Sequence, residues 1–448
     1  MADVEPLRAL HYDPAVVGPL ADVVAPPYDV LDAEGRAAYA ARSPYNVVAV
    51  DLPSLDLPQA GAAPGGDPYA HAAEIFAAWQ REGALVRDAE PAIWAHAQDY
   101  TGPDGIRRTR RGFFCRVRLQ EYGPGRVRPH ERTHPGPRED RLRLMRATRA
   151  DTSPIFSLYS DPAEHAWRAL EPATAAPPWG EATDADGTAH RLWRVADPAA
   201  IAAVQAATRD AELLIADGHH RYETALAYAR EVDAGGTGGE IATGATGGSG
   251  TDPAVSEPDH RYLLMCLVAL QDPGLTVFPT HRVVKAADAA ALERLGGVLR
   301  RDFDLAEVPL DQLAPPPGAG PLQLGYIDAR RRRPVRAVLR DQAIADAALA
   351  GHCAAYRQLD TGVLEALLLK GALGLSDEDI SHLHGIRYAR DAAEATALVL
   401  DGDWDAAFLM RPTPVEQVRE VAAAGENMPP KSTYFYPKLL TGLLFNPL

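Results

Sequence analysis

The sequence predicts a mixed α/β fold, and three observations support that class. Apolar runs of strand length alternate, along the 448 residues, with segments whose apolar residues recur at helical spacing. Residues 92–100 and 111–119 flank a Gly-Pro-Asp-Gly turn and are typical of a β-hairpin. Residues 261–270 are continuously apolar, as in a strand that is buried on both faces. Because the chain is too long for one comfortable core, we expect two regions, 1–290 and 291–448.

In the first region the elements follow from short patterns. The expected helices have amphipathic or alanine-rich spacing and cover 33–42, 70–85, 163–171, 198–208 and 222–231. The expected strands are short apolar runs at 47–52, 154–160, 190–197 and 211–216. Residues 234–258 are rich in Gly, Thr and Ser, so we expect a flexible loop there.

The second region continues the alternation. The expected elements are a helix at 291–303, a hairpin of 321–328 with 334–340, helices near 362–373 and 391–399, a strand at 406–410 and a helix at 414–425. Gly425 stands where a helix C-cap favours glycine.

The overall charge opposes one class of partner. The formal net charge is −16, from 61 acidic and 45 basic residues, whereas nucleic-acid binding depends largely on neutralising phosphates. No apolar run approaches the roughly 20 residues that span a bilayer. Cys115, Cys266 and Cys353 lie far apart and match neither a zinc motif nor a disulfide framework. We therefore expect a cytoplasmic protein that binds neither nucleic acid nor membrane, with its oligomeric state left open.

One stretch of this acidic chain is basic. Between Arg126 and Arg149, eight arginines stand against three acidic residues, a local balance of +5. Such a stretch suits a small anion, but it is equally typical of a solvated helix face. If it binds an anion, Arg138, Arg141 and Arg149 are the expected contacts.

The segment Asp-Gly-His-His-Arg at 217–221 is the strongest functional signal. A strand that ends just before it, and a helix from about His220, would place the first backbone N–H groups of the helix at the turn. These donors and the helix dipole attract anions. The spacing therefore predicts a phosphate site at the turn.

The side chains of this segment suit the same chemistry. Gly218 lets a ligand approach the backbone, and Arg221 can bind a phosphate through two hydrogen bonds. His219 or His220 can donate a hydrogen bond or move a proton, and Asp217 completes the predicted set. In the structural alternative, Asp217 caps the helix and the histidines decorate the surface. A metal site is less favoured, because adjacent helical residues diverge by about 100°.

Other short motifs supply polar residues for the same pocket. The expected contacts are Asp29, His130, Glu131, Thr133, His281, Arg282, Lys431, Ser432, Thr433 and Lys438. Each has a structural alternative, such as helix capping for Asp29, an ordinary salt bridge for Glu131 and structural hydrogen bonding for His281. A carboxylate beside His130, among arginines, should stay ionised and accept a hydroxyl proton.

Together these motifs carry a resemblance to a known family. The chain resembles, nearly end to end, the family called domain of unknown function ten-fifteen, through APPYDVLD, SPYNVV, RPHERTHPGPREDRLRLMRAT, SPIFSLY, ADGHHRYETALAY, DPGLTVFPTHR and KSTYFYPKL. Its DGHHR segment is similar to the phosphate-binding box of the ParB/sulfiredoxin fold, and most of all to that of the free serine kinases. The resemblance implies an α/β (α+β) protein, with a ParB/sulfiredoxin-like nucleotide-binding core and large elaborations in 1–290. A C-terminal α/β region, 291–448, would contribute a terminal loop to the site.

The resemblance also implies an activity. We expect a small-molecule kinase that transfers phosphate from ATP, ADP or pyrophosphate, with Mg²⁺, to a hydroxyl group, first of all that of free L-serine. In the RPHERT motif it implies that Glu131 is the catalytic base, with His219 and His220 as further catalytic candidates. The alternative is a nucleotide-gated, ParB-like binding protein without kinase activity. A sulfiredoxin-like redox role ranks last, because it needs a cysteine in the box. The sequence identifies no metal ligands.

Overall fold

The chain folds into two compact units. The computed structural model describes residues 2–54, 66–131, 133, 135–235, 257–286, 288–318 and 320–448. The first unit comprises Met1–Arg128, Thr133–Leu275 and Pro437–Leu448, and the second comprises Pro129–Arg132 and Thr276–Tyr436. The sequence suggested one boundary near residue 290. By their contacts, residues 276–290 belong instead to the second unit, and 437–448 return to the first.

A mixed sheet of nine strands forms the centre of the first unit. The strands of this unit are β1 (Val4–Glu5), β2 (Leu10–Tyr12), β3 (Leu85–Arg87), β4 (Ile93–Thr101), β5 (Arg107–Arg118), β6 (Val127–Arg128), β7 (Ala150–Asp151), β8 (Ile155–Tyr159), β9 (Gly180–Thr183), β10 (Ala189–Val195), β11 (Leu213–Asp217), β12 (Tyr262–Ala269) and β21 (Asn446–Pro447). The large sheet has the order β6-β11-β8-β12-β5-β4-β10-β9, with β1 also paired to β5. The pairs β6–β11 and β8–β12 are parallel, and the others are antiparallel.

Most of the expected strands of this unit are present. The predicted hairpin is β4–β5, in which Trp94 lies opposite Phe114. The continuously apolar segment is β12, between β8 and β5, and all but its last residue are buried. The runs at 154–160, 190–197 and 211–216 contain β8, β10 and β11.

One expected strand is wrong. The valine-rich run at 47–52 contains a short helix, Val48–Asp51. Asn46 fixes the turn before it, because its side-chain amide donates to Asp22 O at 2.8 Å and its Oδ1 accepts from Val48 N at 3.1 Å. Since Val48 and Val50 are almost fully buried, packing here outweighs the preference of valine for strands.

The helices of the first unit cover the segments predicted to be helical. They are α1 (Pro14–Val17), α2 (Leu20–Val23), α3 (Ala33–Ala40), α4 (Val48–Asp51), α5 (Pro68–Arg81), α6 (Pro135–Thr148), α7 (His165–Leu170), α8 (Pro198–Thr208) and α9 (His219–Asp233). Asp32, Asp67 and Asp197 accept backbone N–H bonds as N-caps of α3, α5 and α8. Helix α9 begins at His219, earlier than expected. The predicted loop at 234–258 lies, over 236–256, outside the described residues.

The second unit has an antiparallel sheet of six strands in the order β15-β17-β16-β19-β14-β18. Its strands are β13 (Thr276–Phe278), β14 (His281–Val284), β15 (Phe303–Glu307), β16 (Gln323–Asp328), β17 (Val335–Leu339), β18 (Ile386–Ala389), β19 (Ala406–Leu409) and β20 (Tyr434–Tyr436). Its helices are α10 (Ala289–Asp302), α11 (Gln342–Ala348), α12 (Ala354–Arg357), α13 (Asp360–Val363), α14 (Asp377–Ser381), α15 (Ala392–Leu400) and α16 (Val415–Ala423). Strands β13 and β20 pair separately.

The predictions for the second unit hold with one change. The hairpin is β16–β17, and Gly425 follows α16 with a φ of 77°, as a C-cap glycine does. The helix expected over 362–373 is instead a short α-helix that continues as the π-helical segment Leu364–Lys370. The mixed α/β class is therefore as the sequence predicts. In the described ranges no helix combines the length and apolarity needed to cross a membrane.

Candidate functional site

The turn at 217–221 has the backbone form that an anion site requires. Strand β11 ends at Asp217, and Gly218, with φ 100° and ψ 25°, is the N-cap of α9. As a glycine, the N-cap has no side chain with which to cap this helix start. A Cβ at position 218 would lie 2.8 Å from Ile155 Cδ1 and 3.1 Å from Arg221 Nη2, so both conformation and space demand glycine.

Asp217 lies between two cations. Its Oδ2 accepts from Arg221 Nη2 at 2.8 Å, and its Oδ1 accepts from Lys438 Nζ. Burial alone would raise the pKa of the Asp217 carboxyl, but the charges of Lys438 and Arg221 outweigh burial and lower that pKa below its ordinary value. Asp217 therefore stays ionised and orients both cations. It is not the side-chain cap of α9, as the structural alternative supposed.

The Arg221 side chain is buried and forms hydrogen bonds with other protein groups. Its side chain is 10% exposed, and Nη1 donates to Ser153 Oγ and to Pro154 O, each at 2.5 Å. Its Nε has no hydrogen-bond partner within the described part of the chain. Arg221 and Ser153 also line a cavity of about 30 Å³, which has room for a water molecule but not for a nucleotide. Arg221 thus anchors the turn, and little of its guanidinium is left for a ligand.

A third cation, Arg110, lies under the same turn. Arg110 is 1% exposed, donates to Gln98 Oε1 at 2.9 Å and to Pro437 O at 2.6 Å, and lies 4.4 Å from the ring centre of Phe156. Burial lowers its pKa to about 10, so it remains charged at neutral pH. By holding Pro437 O, Arg110 positions the neighbouring Lys438.

The local charge balance favours an anion. Lys438, Arg221 and Arg110 interact electrostatically with the carboxylate of Asp217, and Arg110 also interacts with Asp272. His219 is buried in the first turn of α9 and also lowers the pKa of Asp217. The turn therefore combines an excess of positive charge with the positive end of a helix dipole.

The arginine-rich helix α6 is largely neutralised by carboxylates. Arg141 is buried, and its guanidinium pairs with the carboxylates of Asp140 at 2.7 Å and Asp51 at 3.3 Å. Arg138 is exposed and lies 3.6 Å from Glu223, which also accepts from Thr133 Oγ1 at 2.7 Å. These contacts match the alternative in which the stretch stabilises the fold and faces solvent.

The residue before Asp29 in the chain, Tyr28, contacts one of the arginines of α6. The ring of Tyr28 stacks with Arg141 at 4.5 Å, while the Asp29 side chain is exposed. Helix capping at this end of the chain falls to Asp32, which accepts from Gly35 N at 2.8 Å.

His130 and Glu131 belong to the second unit. His130 is 2% exposed, and its Nε2 lies 2.9 Å from Thr433 Oγ1. Glu131 is partly exposed and has no hydrogen bond or ion pair among the residues that the structure describes. Its role as a catalytic base stays a prediction.

The remaining predicted contacts have structural partners. His281 Nδ1 accepts from Met410 N at 3.1 Å, and burial lowers the pKa of His281 to about 4. Arg282 is buried and donates to Pro430 O and Lys431 O, each at 3.1 Å. These are the bonds of the structural alternative for both residues.

The loop that follows α16 is held in the same way. The Ser432 hydroxyl is buried, lies 2.8 Å from Thr361 Oγ1 and donates to Pro429 O at 2.7 Å. Lys431 is exposed and has a left-handed φ of 56°. Of the predicted loop residues, Lys431 is therefore the one whose charge faces solvent.

Sequence reasoning left Arg110 and Ser153 out of the predicted site, whereas Lys438 was among the expected contacts. Arg110 was missed because it lies in an arginine-rich strand that looks exposed, although its alternation with Gly112 and Phe114 points to the buried face. Ser153 is remote from 217–221 in sequence, and no local pattern connects it to the turn.

The described residues contain no group of three or more His, Cys, Asp or Glu side chains that could hold a metal ion.

Solved structures resemble this chain only distantly. A free serine kinase variant in complex with AMP is 13% identical with a TM-score of 0.34, over 69% of this chain and 84% of that chain. A conserved hypothetical protein from Pyrococcus furiosus is 14% identical with a TM-score of 0.32, over 69% and 87% of the two chains. SbnI from Staphylococcus aureus, truncated at its C-terminus, is 10% identical with a TM-score of 0.32, over 70% and 82%. Likeness at this level carries no argument about function.

At the level of sequence the relationship is direct. A search of curated proteins gave no match. The model of one family, described as protein of unknown function (DUF1015), matches residues 4–412, which is most of the chain. The chain therefore belongs to the DUF1015 family.

Proposed function

We propose that the turn at 217–221 binds the phosphates of a nucleotide or of pyrophosphate, and that the protein transfers a phosphoryl group from this donor to a small-molecule hydroxyl. The observation that carries the proposal is the start of α9 behind a left-handed Gly218, beside Lys438, Arg221 and the carboxylate of Asp217. Backbone N–H groups at a helix start bind phosphate without further specialisation.

Each residue of the turn has a distinct part in this proposal. Gly218 brings the backbone close to the phosphate, and Lys438, whose side chain is 22% exposed, supplies a positive charge. Arg221 and Arg110 hold the turn and contribute a fixed positive field from inside the fold. His220 is only partly buried and supplies a hydrogen-bond donor at the entrance.

Phosphoryl transfer depends mainly on positioning and on neutralising charge, and this turn suits both tasks. Mg²⁺ bound to the donor phosphates would supply the remaining neutralisation. The first acceptor to test is free L-serine, on the resemblance of the DGHHR and RPHERT motifs, and Glu131 is proposed as the base on the same ground.

The binding step is tested by replacing Lys438 with methionine. We expect Lys438→Met to weaken binding of pyrophosphate and nucleotides at least about tenfold, since a charged hydrogen bond contributes about 1.5–3 kcal/mol. Isothermal titration calorimetry with each donor measures this change. The matched control is Lys285→Met, an exposed lysine of the second unit. Equal donor affinity in the wild type and Lys438→Met would refute the site.

The transfer step needs a separate assay. The full-length protein is incubated with Mg²⁺, an amino-acid panel that includes L-serine, and ATP, ADP or pyrophosphate in turn. Mass spectrometry then detects phosphorylated acceptors. Donor binding without any product would favour the alternative, a nucleotide-gated binding protein.

A further inference from the structure

A second cleft, with no part in the proposed phosphate site, lies in the second unit. It has a volume of about 500 Å³. Its lining includes the loop that precedes β16, the end of β17 and the start of α16. Ligand sites in proteins usually measure about 300–1,000 Å³. Its size therefore suits a small molecule.

One wall of the cleft contains a buried, incompletely bonded arginine. Arg411 is 7% exposed; its Nε donates to Asp360 Oδ2 at 2.5 Å, and its Nη2 donates to Asp360 Oδ1 at 3.0 Å. Its Nη1 has no hydrogen-bond partner in the described ranges. A buried guanidinium nitrogen without a partner costs free energy, and a ligand oxygen that reached it would recover that cost.

The first turn of α16 adds backbone donors to the same wall. Its N-cap is Pro414, which has no side-chain oxygen and makes no side-chain cap. Pro414 lines the cleft together with Arg411. The positive end of the helix dipole and the guanidinium thus favour the same group, a carboxylate.

Two glutamates on α16 favour a ligand group of the opposite charge, a cation. Glu416 and Glu420 line the cleft, are exposed and lie four residues apart, so their side chains are neighbours on one helix face. Neither forms an ion pair with any residue that the structure describes. The other charged residues of the lining are paired, Asp360 with Arg411 and Arg340 with Asp304 at 2.9 Å. Two adjacent, uncompensated carboxylates favour a cationic group between them.

We propose that this cleft binds a small zwitterion, whose carboxylate lies against Arg411 and the start of α16 and whose protonated amine lies against Glu416 and Glu420. Neither a simple acid nor a simple amine satisfies both ends. This proposal does not depend on phosphate binding at 217–221.

The first test compares matched ligands on the full-length protein. The probes are glycine, β-alanine, γ-aminobutyrate and ε-aminocaproate, each titrated beside the carboxylic acid and the amine of the same chain length. We expect at least one zwitterion to bind about tenfold more tightly than its matched acid and amine, which corresponds to about 1.4 kcal/mol. Absence of binding by all four, or equal affinity for an acid or amine, would overturn the proposal.

The second test removes the exposed carboxylates of the cleft. Replacing Arg411 is unsuitable, because it would leave the buried carboxylate of Asp360 without its ion-pair partner. The double variant Glu416→Gln, Glu420→Gln should fold normally and bind the preferred zwitterion about tenfold more weakly. Its affinity for the matched acid should stay the same. The control Glu293→Gln, an exposed glutamate on α10, should leave both affinities unchanged. An unchanged zwitterion affinity in the double variant would count against the site, and Lys438→Met should have no effect on it.

Discussion

Arg221 shows how a local motif can place a side chain without revealing its partners. The sequence predicts a guanidinium at the turn, and it is there, but its nitrogens are bonded to Ser153, Pro154 and Asp217. The presence of these partners cannot be read from a local motif, since Ser153 and Pro154 lie on another segment of the chain. The motif specified the backbone turn, and tertiary contacts decided what the arginine does.

For this reason we expect Arg221→Ala to act on stability before it acts on binding. Removing one partner of a buried ion pair costs about 3–5 kcal/mol. Denaturant unfolding of the variant should show a loss of that order, and Arg138→Ala, which removes an exposed arginine, should lose far less. If the Arg221→Ala protein is as stable as the wild type but binds the donor more weakly, Arg221 contacts the ligand directly.

Asp151 makes the stability of the first unit depend on pH. Its Oδ2 accepts from Leu264 N at 3.0 Å and Asn446 Nδ2 at 2.9 Å, and burial raises its pKa to about 7. The folded state therefore binds more protons than the unfolded state between the ordinary aspartate pKa, about 3.9, and this value. Over that window the free energy of unfolding should fall as pH rises, by up to about 1.4 kcal/mol per pH unit.

The matched change is Asp151→Asn, which keeps an acceptor for Leu264 and cannot ionise. Urea unfolding from pH 4 to pH 8 should show the decline in the wild type and a flatter profile in the variant. The exposed Asp311→Asn serves as control and should keep the wild-type profile. Parallel profiles for Asp151→Asn and the wild type would show that the carboxyl ionises freely in the folded protein.

Glu131 is where the proposed chemistry is most directly tested. Glu131→Gln keeps the size and hydrogen-bonding reach of the side chain but removes the proton acceptor. If Glu131 is the base, turnover should fall by about 10²–10⁴ while donor affinity changes only a few-fold. Initial rates of product formation and calorimetric donor titrations measure the two effects. Undiminished turnover in this variant would leave the phosphate site without an assigned base.

At the scale of elements, the sequence was informative wherever a local pattern decided the structure. The β4–β5 hairpin and β12 follow from turn chemistry and from apolar continuity, and α3, α5 and α8 have aspartate caps. The local pattern failed at 47–52, where Asn46 and close packing form a helix from valines. The role of the arginines in and around α6 was also ambiguous in the sequence, because only the folded structure shows which carboxylates they contact.

The whole molecule has a connectivity that no local pattern reveals. The first unit is completed by Pro437–Leu448, a segment that follows all of the second unit in sequence. Phe445 in this segment is fully buried and contacts the rings of Tyr12 and Phe76, while β21 pairs with β7. Lys438, one of the expected contacts, reaches the candidate site through the same segment.

Deleting 437–448 should therefore unfold the first unit. Leu439, Leu440, Leu443, Leu444 and Phe445 are all buried. Each such side chain contributes about 1.5–3 kcal/mol, so together they match the about 5–15 kcal/mol by which a domain is stable. We expect the truncated protein to lose its cooperative thermal transition for this unit and its binding of pyrophosphate, as calorimetry would show. Deleting 236–249 is the control of similar length, and it should change stability little, because loop entropy varies only with the logarithm of loop length. A truncated protein that melts like the wild type would mean that the first unit folds without its last segment, and Lys438 could then not be essential to the architecture of the turn.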